Sequence, residues 1–117
     1  MPKKFIGSYK HAQAGIRHAM RTQRNLWIHI GCAILALLVA YWLKVSLIEY
    51  TVLVLAIFGV LVTEMLNTSI EELVNILSPE HRVEAGLAKN IGAAAVLVAA
   101  IGSVIIGGLI FIPRIIK

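Results

Sequence analysis

Residues 50–66 read YTVLVLAIFGVLVTEML, an apolar run broken by one carboxylate, Glu64, near its end. Two similar runs flank it. Residues 25–43 (NLWIHIGCAILALLVAYWL) lie between Arg24 and Lys44, and residues 91–113 hold no charge between Lys89 and Arg114. Each approaches the ~20 residues that cross about 30 Å of hydrocarbon. Backbone in lipid must satisfy its own hydrogen bonds, so each run is read as a transmembrane helix. The fold class is therefore an all-α membrane protein, with spans at about 25–43, 48–66 and 91–113.

Composition agrees. The chain has 117 residues, 59% of them hydrophobic and 15% charged, with mean hydropathy +0.85. Soluble domains carry about 25% charged residues. These values exclude a disordered chain, an ordinary soluble enzyme and a nucleic-acid module coated in Lys and Arg. The length predicts a single integral-membrane domain over residues 1–117. The lone Cys32 allows no internal disulfide and reads as a small buried hydrophobe. A basic N-terminus without an apolar h-region predicts no removable signal peptide.

Before the first span, residues 5–23 place Tyr9, Ala12, Ile16, Ala19 and Met20 at helical spacing, with Lys10, Arg17 and Arg21 elsewhere. That pattern predicts an amphipathic helix on the membrane surface. Residues 44–49 join the first two spans, and residues 78–82 join the last two, with Pro79 expected to open a helix after Ser78. The N-terminal side carries Lys3, Lys4, Lys10, Arg17, Arg21, Arg24, Arg82 and Lys89, against Lys44, Arg114 and Lys117 on the other. The positive-inside rule therefore predicts a cytoplasmic N-terminus.

The segment that carries chemistry is residues 64–75, EMLNTSIEELVN. Glu64, Asn67, Glu71 and Asn75 are spaced +3, +4, +4, which puts them on one helix face. Counting ~1.5 Å per residue from Glu49 leaves Glu64 about 22 Å into the core, still inside hydrocarbon. A carboxylate at that depth costs about 2.5–3.5 kcal/mol on insertion scales and is usually functional. It suits a general base acting on a hydroxyl that lives at the interface, such as a lipid alcohol. Glu71 and Glu72 suit a divalent cation, and Lys89 is placed to meet a phosphate. No glycine-rich phosphate loop is present in the sequence. His11, His18, His29 and His81 match no metal-ligand spacing. Ala95, Ala99, Ser103 and Gly107 recur every four residues, which favours close helix packing within the chain or between copies.

Three stretches together, AGIRHAMRTQRN (14–25), EMLNTSIEELVN (64–75) and GLAKNIGAAAVLVA (86–99), make the chain similar to the prokaryotic integral-membrane diacylglycerol kinase and undecaprenol kinase family. The stretches RTQRN, SPEH and GGLIFIPRII look more like the undecaprenol-kinase branch. The resemblance implies a homotrimer of three-span subunits in the bacterial inner or plasma membrane, with the active site on the cytoplasmic side. It implies transfer of the ATP γ-phosphate to a lipid hydroxyl, of undecaprenol or diacylglycerol, with Mg²⁺. It also implies Glu64 as general base, Asn67 shaping the site, Glu71 on the metal and Lys89 on phosphate. Three positions depart from the family pattern. Gln23 stands where a metal-binding Glu is usual, and Asn75 and Asn90 stand where Asp is usual. An amide keeps the shape of a carboxylate and loses its charge, so metal and nucleotide binding at Gln23, Asn75 and Asn90 should weaken.

The expectation is a lipid kinase impaired by those amides. The alternative is a catalytically silent relative or neutralised variant that binds lipid or nucleotide in the membrane. A small multidrug exporter fits less well, because that family has four spans and carries its Glu in the first.

Overall fold

The computed structural model describes residues 3–117, which form four helices: α1 (Lys3–Thr22), α2 (Arg24–Trp42), α3 (Leu47–Leu77) and α4 (Val83–Ile115). The last three are long and apolar enough to cross a membrane. Helices α3 and α4 form the main hairpin, α2 packs on α3, and α1 touches α2. The molecule measures 56 × 44 × 20 Å. Few side chains are buried, and large apolar residues such as Leu35, Leu55, Phe58 and Leu97 face outward along the spans. That is the reverse of a water-soluble bundle and suits an apolar solvent.

Two helices overrun their expected spans. The second was expected to end at 66, yet α3 continues to Leu77; the third was expected from 91, yet α4 begins at Val83. Hydropathy reports the part in hydrocarbon, whereas helical hydrogen bonding continues until a residue stops it. At 31 and 33 residues, α3 and α4 span about 46 and 50 Å, well beyond the hydrocarbon layer. The added turns carry Glu71, Glu72, Asn75, Lys89 and Asn90. Pro79 does not open α4. It lies in the turn, and Arg82 takes the N-cap position of α4 without a side-chain cap. Ser78 stops α3: it is buried, and its Oγ accepts from the Arg82 N–H at 3.1 Å. At the other end α4 passes through Pro113, forgoing one hydrogen bond, and the Ile116 N–H still donates to the Ile112 carbonyl at 3.1 Å. Cys32 is exposed on α2, against the expected burial, because α2 has neighbours on one side only.

The α2–α3 turn is the best-secured part of the molecule. Lys44 adopts the left-handed conformation (φ 55°) that ends α2. The Lys44 N–H donates to the Tyr41 carbonyl and the Val45 N–H to the Ala40 carbonyl, both at 3.2 Å, which is a Schellman motif. Ala40 and Val45 then pack with Leu53 and Ile110 into the apolar core. Ser46 opens α3 with a capping box: its Oγ accepts from the Glu49 N–H at 3.2 Å, and the Ser46 N–H donates to Glu49 Oε1 at 2.8 Å. Arg114, at the end of α4, donates to both carboxylate oxygens of Glu49, and its Nη1 donates to the Lys44 carbonyl at 3.3 Å. One guanidinium thus ties α4 to the turn between α2 and α3. A non-glycine residue in the left-handed region costs about 1 kcal/mol. Lys44→Gly should therefore raise stability by about 0.5–1 kcal/mol, and Lys44→Val should lower it, in detergent-titrated unfolding followed by circular dichroism.

Candidate active site

At the opposite end, α3 turns one polar row inward. Glu64 is 2% exposed, Asn67 8% and Thr68 6%. The Thr68 hydroxyl donates to the Glu64 backbone carbonyl at 3.0 Å. Asn67 Nδ2 donates to Glu71 Oε1, one turn on, also at 3.0 Å. An ionised carboxylate only accepts, so the Asn67 nitrogen faces Glu71 and its Oδ1 turns to α4. There it meets Gly92: a Cβ on Gly92 would collide with Asn67 Oδ1 and lie 3.5 Å from its Cγ. A methyl at this position would have to push the Asn67 side chain aside.

Two buried oxygens have no hydrogen-bond partner among the described residues, Glu64 Oε2 and Asn67 Oδ1. Leaving a buried acceptor unmet costs about 1–3 kcal/mol. His29 Nε2, on α2, stands 3.5 Å from Glu64 Oε2, outside hydrogen-bond geometry. Among the described residues no group of three His, Cys, Asp or Glu side chains gathers to hold a metal. Glu71, half-buried, offers one carboxylate, which fits a hard cation completed by substrate phosphates and water, as Mg²⁺ commonly is. Glu72 points elsewhere and pairs with His18 of α1 at 2.7 Å.

The other expected residues are less closely joined. Lys89 is half-buried and makes no ion pair among the described residues. Its i, i+3 spacing puts it on the Gly92 face of α4, one turn nearer the α3–α4 turn. Asn75 and Asn90 are exposed. Gln23 is half-buried at the junction of α1 and α2, where it is the N-cap residue but its side chain caps nothing. Sequence reading missed His29 and His18 as partners of carboxylates. The first pair joins α2 to α3 and the second spans 54 residues, so no local spacing marks them. Gly92 lay inside a quoted stretch without a role, and only the neighbouring helix reveals one.

Comparison with known proteins bears on this arrangement. The family model for prokaryotic diacylglycerol kinase matches residues 10–111, which include every residue just described. The chain belongs to the prokaryotic diacylglycerol kinase family. An undecaprenol kinase of Bacillus subtilis (strain 168) is 39% identical over 111 residues, 95% of this chain and 90% of that protein. A diacylglycerol kinase of Escherichia coli (strain K12) is 39% identical over 102 residues, 87% of this chain and 84% of its own length. A diacylglycerol kinase of Synechocystis sp. is 36% identical over 93% of this chain, which spans 63% of that longer relative. Membership makes the chain a membrane-bound lipid kinase, in keeping with its three apolar helices.

In this kinase a methyl at Gly92 can be fitted only by moving Asn67. Gly92→Ala is expected to displace Asn67 and cost about 1–3 kcal/mol as overpacking. Gly86→Ala, with open space around its Cβ, should instead gain about 0.5–1 kcal/mol from helix propensity. Detergent-titrated unfolding of both variants checks the pair.

Proposed function

We propose that this chain transfers the γ-phosphoryl group of ATP to the hydroxyl of a membrane lipid alcohol at the cytoplasmic interface. The observation that carries the reading is the Glu64 carboxylate, buried in a helix long and apolar enough to cross the membrane. As the lipid oxygen bonds to the γ-phosphorus and the β–γ bridging bond breaks, Glu64 takes the hydroxyl proton. Asn67 shapes the floor of the site, its Nδ2 held by Glu71 and its Oδ1 packed against Gly92. Lys89 meets phosphate from the facing side of α4. Glu71 would hold Mg²⁺, which when bound neutralises phosphate charge. Phosphoryl transfer needs mainly positioning and charge neutralisation, and these residue types supply both.

Undecaprenol is the acceptor we place first, ahead of diacylglycerol. The likeness to the Bacillus undecaprenol kinase, over nearly the full length of both chains, supports that order. We further propose that the chain works as a homotrimer, since outward apolar faces on all three long helices leave ample surface for neighbours. The eight Lys and Arg residues on the N-terminal side support a cytoplasmic N-terminus and site.

The amides at Gln23, Asn75 and Asn90 should hold activity down. Asn75 and Asn90 are solvent-exposed near the α3–α4 turn, where lost negative charge weakens metal-nucleotide capture while leaving the buried row intact. Lipid phosphorylation with labelled ATP and Mg²⁺ in detergent micelles tests this, with undecaprenol and diacylglycerol offered separately. Restoring Gln23→Glu, Asn75→Asp and Asn90→Asp together should raise turnover by at least about tenfold, as lost charge-assisted contacts would dictate. Undecaprenol should be the faster acceptor. No lipid phosphorylation by either form would leave a silent, lipid- or nucleotide-binding relative in place of the kinase.

A further inference from the structure

We propose that His29 is a positioning residue for Glu64, holding the buried carboxylate at the head of an apolar cleft. This rests on the reading of Glu64 as the base. His29 stands in a helix whose membrane stretch is otherwise apolar, and an ionisable side chain there is usually paired or functional. The carboxylate that it faces is Glu64, with Nε2 3.5 Å from Oε2. His29 also lines a cleft of about 400 Å³ between α2, α3 and α4, whose walls include Cys32, Ala36, Val60, Val104 and Phe111. It therefore stands between this apolar cleft and the buried carboxylate.

The neighbouring polar side chains are already committed. Asn67 gives its amide N–H to Glu71, and Thr68 gives its hydroxyl to the Glu64 backbone. Among the described residues His29 is the only Lys, Arg or His side chain within 4 Å of the Glu64 carboxylate. An acceptor-only carboxylate selects the tautomer protonated at Nε2. Closing 3.5 Å to hydrogen-bond distance takes a shift of about 0.5 Å, of the kind unliganded sites make when substrate arrives. Donation to Oε2 then leaves Oε1 facing the lipid hydroxyl. His29 exchanges no proton in the step: the hydroxyl proton passes to Glu64.

Two readouts on the full chain test this. In ¹⁵N nuclear magnetic resonance of the imidazoles, His29 should be the Nε2-protonated tautomer, and its Nε2 signal should move in Glu64→Ala. An Nδ1-protonated ring, or a signal indifferent to Glu64, overturns the inference. Kinetics are read with Gln23→Glu, Asn75→Asp and Asn90→Asp restored. His29→Ala should lower kcat roughly 10²-fold, the scale of a misplaced catalytic group, with KM for ATP within about twofold. His29→Gln, which keeps an N–H donor, should recover much of that loss. Unchanged kcat in His29→Ala, or equal impairment in both variants, overturns it. A Glu64→Gln variant separates the two layers. If it is inactive while His29→Ala is unaffected, only the role of His29 falls; if it is fully active, the Glu64 reading falls too.

Discussion

A carboxylate buried in a membrane helix is the constraint around which this protein is arranged. Glu64 gains little from water and is costly to keep in hydrocarbon. Its surroundings are built to keep it there. Thr68 closes the local backbone, Asn67 and Gly92 bring α3 and α4 together one turn away, and His29 stands across from it on α2. Even so one of its oxygens stays unpartnered. Stability alone would favour an apolar residue at this position. The open acceptor makes sense where His29 turns to Oε2 as substrate arrives and leaves Oε1 to the hydroxyl.

The two ends of the bundle divide the work. At the α2–α3 turn, local geometry is satisfied nearly everywhere: a Schellman motif, a capping box, an apolar core and the Arg114 clamp on Glu49. The opposite end is looser and more polar. Its elements meet through single contacts: Asn67 on Gly92, His18 on Glu72, and the Trp27 indole N–H on the Met20 carbonyl between α2 and α1. A rigid end lets the other keep unmet polar groups, since the frame does not depend on them. Exposed apolar residues of α1 such as Phe5, Tyr9 and Ile16 leave that helix suited to lie in the membrane interface beside the site.

Much of this was legible in the chain itself. Three apolar runs disclose three spans because lipid leaves backbone few alternatives. The +3, +4, +4 spacing discloses the Glu64–Asn67–Glu71 row because helical period is fixed. Helix ends were less legible. Residues 67–77 are too polar to read as membrane, yet α3 runs through them because nothing before Ser78 stops it. Pro79 illustrates the same limit, since a residue suited to a helix start serves equally well in a turn. Contacts between helices were not legible at all. His29 with Glu64, Gly92 with Asn67 and Arg114 with Glu49 each join residues far apart in the chain, and only the packing of α2, α3 and α4 brings them together.

If Glu64 is the base, it must meet the acceptor hydroxyl inside the membrane. The most direct measurement is an experimental structure of this chain with undecaprenol and a non-hydrolysable ATP analogue bound. The lipid hydroxyl should lie within about 2.6–3.2 Å of the Glu64 carboxylate, the reach a general base requires. A hydroxyl held by other residues, with Glu64 still buried and untouched, would contradict it.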